Sequence, residues 1–183
     1  MRWSALPVVI SVLIGAGAAG ADEAKIADFY GEWRGTDARG QGGVEPDDLS
    51  VTIRPDGTGF RMDWTALKIG PDGVSGRHEV RASFAPTGKP GVFAYREEPG
   101  SMLQRLFASP TTSNPLEGET LLWARLAGPT LTVYSLALED DGGFRLDRHE
   151  RTLQEGSMSY VGSRRTGRGP TVIAEGRLQP EPG

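Results

Sequence analysis

The sequence predicts an all-β protein, an antiparallel up-and-down β-barrel of about eight to ten strands with one short helix. Apolar and polar residues alternate along most of the chain, and Asp-Gly pairs stand between the alternating runs. Closure is the third consideration. A meander of strands joined by short turns leaves two exposed edges, and closing it into a barrel removes them. A sandwich of two open sheets is the alternative.

The chain opens MRWSALPVVISVLIGAGAAGADEAK. Arg2 precedes an apolar run from Ala5 to Ile14, and small residues follow as far as Ala21. That is the three-part layout of a secretory signal, with Ala19-Gly20-Ala21 supplying the small groups a signal peptidase reads. Cleavage is expected after Ala21, leaving residues 22–183 as a single barrel domain, periplasmic or secreted. The apolar run of about ten residues is half the ~20 that a spanning helix needs. No later stretch is long and apolar enough to span a membrane.

Ten strands are expected in order: Phe29–Gly35, Leu49–Arg54, Thr58–Ile69, His78–Phe84, Gly91–Arg96, Glu119–Leu126, Pro129–Asp140, Phe144–Leu153, Ser157–Arg164 and Thr171–Leu178. In the third, Phe60, Met62, Trp64 and Ala66 share one face, with Arg61, Asp63 and Thr65 on the other. In the fourth, Val80, Ala82 and Phe84 oppose Glu79, Arg81 and Ser83. The seventh is rich in β-branched and aromatic residues, as half-buried strands usually are. Asp56-Gly57, Asp72-Gly73 and Asp141-Gly142-Gly143 supply hairpin turns, because glycine accepts the positive φ that tight hairpins demand.

One stretch departs from alternation. Ser101 and Gln104 match a capping box, and Met102, Leu103, Leu106 and Phe107 share a helical face. A helix of about two turns is expected over Ser101–Ala108, stopped by Ser109-Pro110, then an irregular loop through Glu117. So short a helix must dock on something apolar, and the barrel rim is nearest. The segment is therefore read as a lid over one mouth, whether gate, plug or partner-docking site.

Composition excludes several classes of function. With no cysteine there are no disulfides and no thiolate chemistry, so the core alone must hold the fold. The formal charge of −4 becomes −5 when the signal leaves with Arg2 and no acidic residue. Basic and acidic residues are interspersed, and the basic excess of a nucleic-acid binder is missing. His78 and His149 have no metal-ligand spacing and read as half-exposed strand histidines. Asp47-Asp48 and Asp140-Asp141 fall in turns, where aspartate is expected for backbone reasons. No nucleophile elbow or phosphate-cradling glycine loop is present, so no catalytic residue, cofactor or metal ligand is assigned.

At Phe29-Tyr30-Gly31-Glu32-Trp33-Arg34-Gly35 the chain resembles lipocalins and related calycins, which place a Gly-x-Trp at the start of the first barrel strand. The resemblance implies that Gly31 and Trp33 close one barrel end, with an arginine of the last strand lying across the indole. Arg177 is the candidate for that arginine. The lipocalin disulfide has no counterpart here, so the resemblance extends to a calycin-like barrel and not to the lipocalin family proper. It implies an exported binding protein for a small, largely apolar ligand. Candidate lining residues are Phe60, Met62, Trp64, Phe84, Trp123 and Tyr134, although alternate apolar residues on a strand serve equally as core. A slip of one residue in register would reverse every face. The alternative is a protein-interaction module, an inhibitor or envelope accessory factor with a filled barrel, whose partner the sequence does not name.

Overall fold

The computed structural model describes residues 24–70, 72–96 and 114–182. Ten antiparallel strands form one ring-like sheet: β1 (Gly31–Gly40), β2 (Val51–Asp56), β3 (Gly59–Gly70), β4 (Gly73–Pro86), β5 (Val92–Arg96), β6 (Leu121–Ala127), β7 (Thr130–Leu138), β8 (Phe144–Gln154), β9 (Ser157–Thr166) and β10 (Gly169–Pro180). Each strand pairs with its neighbours in the chain, and β1 pairs with β10, so ring order is chain order. Every segment read as a strand in the sequence is one, although Phe29 and Leu49 belong to short turns that precede their strands.

Alternation sets what faces inward. Phe60 and Met62 of β3 lie opposite Phe84 and Ala82 of β4, and all four are buried. Phe60 stacks on Phe84 at 5.0 Å between ring centroids and meets Phe93 edge-on at 5.1 Å. Ile53, Leu131, Met158 and Leu178 complete this core, all of them fully enclosed. Each large apolar side chain so buried contributes roughly 1.5–3 kcal/mol. The ends of strands are turned by glycine where backbone sign requires it. Gly57 at φ 58° joins β2 to β3, and Gly142 at φ 80° joins β7 to β8.

Two 3-10 turns pack against the ring's inner residues. In the N-terminal turn, Ile26–Phe29, Phe29 is fully buried and its carbonyl accepts a 2.9 Å hydrogen bond from Trp33 Nε1. The second turn, Pro46–Leu49, lies in the connection from β1 to β2 and is called the crossing turn below. β1 pairs with β2 only from Gly31 to Trp33, after which the connection folds against β1, β3 and β10. Glycines make that approach possible. A Cβ at Gly35 would stand 1.8 Å from the Pro46 carbonyl oxygen, and one at Gly176 would stand 2.0 Å from that of Asp37 and 2.5 Å from Leu49 Cδ1.

Among the described residues no helix is long and apolar enough to cross a membrane. The expected lid residues Met102, Leu103, Leu106 and Phe107 lie outside the described residues. Only the end of that segment is described, a 3-10 turn at Pro115–Glu117 capped by Asn114, whose Oδ1 accepts from the Leu116 amide at 3.1 Å.

Candidate functional site

Beside the packed core, the ring encloses a cavity of about 330 Å³. Its apolar wall is Trp64, Val80, Tyr95, Leu122, Val133 and Ile173. Its polar wall comes from β8 and β9, with Asp147, His149, Tyr160 and Arg164, joined by Ser135 of β7 and by Asp48 of the crossing turn.

Strand periodicity builds the polar wall. Asp147, His149 and Arg151 are successive inward positions on β8, and Tyr160, Gly162 and Arg164 are their counterparts on β9. The register sets His149 opposite Gly162 and Arg151 opposite Tyr160. Gly162 matters here because a Cβ on it would stand 2.7 Å from the Tyr160 hydroxyl. With no Cβ in the way, that hydroxyl reaches His149 Nδ1 at 2.7 Å. Above this pair, Arg164 donates two hydrogen bonds to Asp147, at 2.6 and 3.0 Å. Below it, Arg151 is 2% exposed, with its guanidinium carbon 5.2 Å from the Tyr160 ring centroid. Its Nε and Nη1 have no hydrogen-bond partner.

The electrostatics follow from enclosure. Burial, reinforced by the charge of Arg151, holds the His149 imidazole down to about 4, so it is neutral at neutral pH. His149 keeps some accessible surface and lines the cavity. Burial also pushes the Tyr160 phenol up to about 12, although the Arg151 charge opposes the shift. Arg151 itself is lowered by desolvation. Arg164 is raised, first by its hydrogen bonds to Asp147.

No family model, curated protein or solved structure matches this chain. Only the site's own geometry bears on its chemistry. His149 makes its hydrogen bond to a phenol, while the nearby Asp147 is held by Arg164, so among the described residues no carboxylate orients the imidazole as a relay would require. Among the described residues no group of three histidine, aspartate or glutamate side chains converges to hold a metal ion. The arrangement is suited to holding a molecule by apolar contact and a few hydrogen bonds.

The structure separates the residues read from the sequence as lining. Trp64 lines the cavity, whereas Phe60, Met62 and Phe84 belong to the packed core. Trp123 and Tyr134 are corrected: they stack on each other at 4.8 Å on the outer face. The inward positions of β6 and β7 are instead Leu122, Ala124, Val133 and Ser135. Gly31 and Trp33 do open β1, and Trp33 packs partly buried against the core. Arg177 is also corrected. It is exposed on the outer face of β10, because its neighbours Gly176 and Leu178 take the inward positions. The guanidinium that lies over an aromatic ring is Arg151, a residue the sequence did not single out. His78 is exposed and His149 partly buried, both on strands, and what the sequence did not show is that His149 lines the cavity.

A second depression, of about 640 Å³, is lined by residues of β1 to β4 and shares Trp64 and Val80 with the cavity. Two ion pairs lie along it, Arg34 with Asp47 at 3.3 Å and Arg81 with Asp63 at 2.9 Å.

Proposed function

We propose that this chain is an exported, calycin-like β-barrel that binds one small, largely apolar molecule in its interior. The cavity of about 330 Å³ carries the reading. A filled ring would leave no such space, and ligand sites generally begin at about 300 Å³, mostly apolar with a few convergent polar groups. Closure of β1 on β10 and the Gly31-x-Trp33 opening at the head of β1 support the calycin-like architecture. The outward-facing Arg177 departs from the family pattern and lends it nothing. Native mass spectrometry of protein taken from its own export compartment tests the reading. The expected species is a chain beginning near Asp22 with a small molecule retained. A chain that keeps Met1, or one that carries a protein partner and never a small molecule, overturns it.

A further inference from the structure

The charges that line the cavity pair off, and one just behind its wall, at Arg151, does not. Asp147 is held by Arg164, Asp48 by Arg77 and Arg81 by Asp63. Arg151, one inward position beyond His149 on β8, has no carboxylate in reach among the described residues. It packs against the face of Tyr160, which softens but does not neutralise a buried charge. A guanidinium enclosed without an anion is strongly unfavourable, and a charge kept so is one that an anion from outside can complete.

Hydrogen bonding along the cavity floor points the same way. His149 and Tyr160 share one hydrogen bond between a neutral imidazole and a neutral phenol. If Nδ1 accepts from the hydroxyl, Nε2 carries the remaining N–H. If Nδ1 donates, the hydroxyl hydrogen remains. Either tautomer leaves one donor on the floor with no partner among the described residues. The pair and the unpaired charge are neighbours, since the Arg151 guanidinium carbon is 5.2 Å from the centroid of the ring that carries the hydroxyl.

We propose that the cavity takes a monoanionic amphiphile, with a single carboxylate set on the His149–Tyr160 floor above Arg151 and an apolar body against Trp64, Tyr95 and Leu122. This rests on the ligand-binding reading and adds the charge of the ligand to it. The carboxylate takes its hydrogen bond from the floor and its Coulombic attraction from Arg151, which acts through space and through Tyr160. One uncompensated positive charge calls for one negative charge, and an ammonium or a doubly charged group would leave the interior unbalanced. The volume of about 330 Å³ holds about ten heavy atoms, at the roughly 30 Å³ that each water takes in the liquid.

Isothermal titration calorimetry of the mature protein with octanoate, octanamide and octylammonium tests the proposal near neutral pH. Octanoate is expected to bind about tenfold or more tightly than octanamide, and octylammonium not detectably. Arg151→Met keeps the length of the side chain but removes its charge. It should bring octanoate down to the affinity of octanamide without lowering the melting temperature, since the charge it deletes was unpaired. Arg151→Lys should keep the preference. Octanamide binding as tightly as octanoate, or an Arg151→Met variant that keeps the preference, overturns this proposal and leaves the ligand-binding reading standing. Failure of all three probes to bind overturns both.

Discussion

The Asp48 carboxylate on the crossing turn accepts two hydrogen bonds from Arg77 of β4, at 2.5 Å from Nε and 3.0 Å from Nη2. The same guanidinium donates to the Gly43 carbonyl at 2.8 Å. One β4 side chain therefore pins the β1–β2 connection at two places, although β4 neighbours neither strand in the ring. Because Asp48 lines the cavity, this pair fixes one of its walls. Asp48 is the one residue of the Pro46–Leu49 turn in that lining.

Arg77→Met should loosen that wall while leaving the ring intact. The variant leaves a shielded carboxylate without its cation and frees the Gly43 carbonyl. Amide exchange of residues 42–49 is expected to quicken about tenfold, as in a locally opened segment, while β6 to β9 keep their protection. Uniform loss of protection across the ring would show that the pair supports the whole fold and not one wall.

Acid should destabilise the protein through His149. Unfolded histidine titrates near 6.5, whereas the native imidazole is held to about 4 by burial and by the charge of Arg151, with Asp147 opposing and Arg164 assisting. Between those values the unfolded chain binds a proton that the native chain refuses. Stability is therefore full above about pH 6.5 and falls as pH drops toward 4, by up to about 3 kcal/mol in all. His149→Gln cannot titrate but can still meet the Tyr160 hydroxyl. Urea unfolding from pH 7 to pH 5 should show a steeper loss for the native sequence than for this variant. Parallel curves would mean that His149 is solvated in the folded state.

Two glycines should respond differently to alanine. At Gly35 the added methyl would meet the Pro46 backbone oxygen at 1.8 Å, and backbone cannot step aside cheaply. A loss of about 3 kcal/mol or more is expected in denaturant unfolding. At Gly162 the methyl would meet the Tyr160 hydroxyl at 2.7 Å, the far end of a side chain that can swing. That variant should fold with a smaller loss but part His149 from Tyr160. The readout is the His149 ring by nuclear magnetic resonance, whose protonation and tautomer should change in Gly162→Ala and not in a Gly88→Ala control, where the new methyl meets nothing within 4 Å.

The strands were legible because their two faces differ, and the site was not because its faces do not. In β3, Phe60, Met62 and Trp64 alternate with Arg61, Asp63 and Thr65, so the inward face reads directly from composition. In β8, Asp147, His149 and Arg151 alternate with Arg148, Glu150 and Thr152, and polar residues on both faces give alternation nothing to separate. The run LLWARLA in β6 fails for the opposite reason. Apolar residues occupy both parities, and the bulk of Trp123 argued for the parity that faces outward. Arg177 was assigned to Trp33 through a family pattern, whereas the parity of Leu178 already turns it outward. The crossing turn depends on Gly35 and Gly176, far apart in sequence, where neither glycine announces that a third segment will press against it.

Tryptophan fluorescence separates the cavity from the outer surface. Trp64 lines the cavity, and Trp123 stacks on Tyr134 outside it, so an interior ligand changes the surroundings of the first and not of the second. Octanoate titrated into the mature protein should shift or quench the emission, because an apolar chain displaces water from the indole face of Trp64. Trp64→Phe should remove that change while keeping most of the affinity, since phenylalanine preserves an apolar wall. Trp123→Phe should leave the change as it was and alter only the starting spectrum. The reverse result, with the signal following Trp123, would place the ligand on the outer face of β6 and β7 and end the interior reading. A signal retained by both variants would point to Trp33, which packs against the core beside the N-terminal turn, and would move the ligand out of the cavity that Trp64 lines.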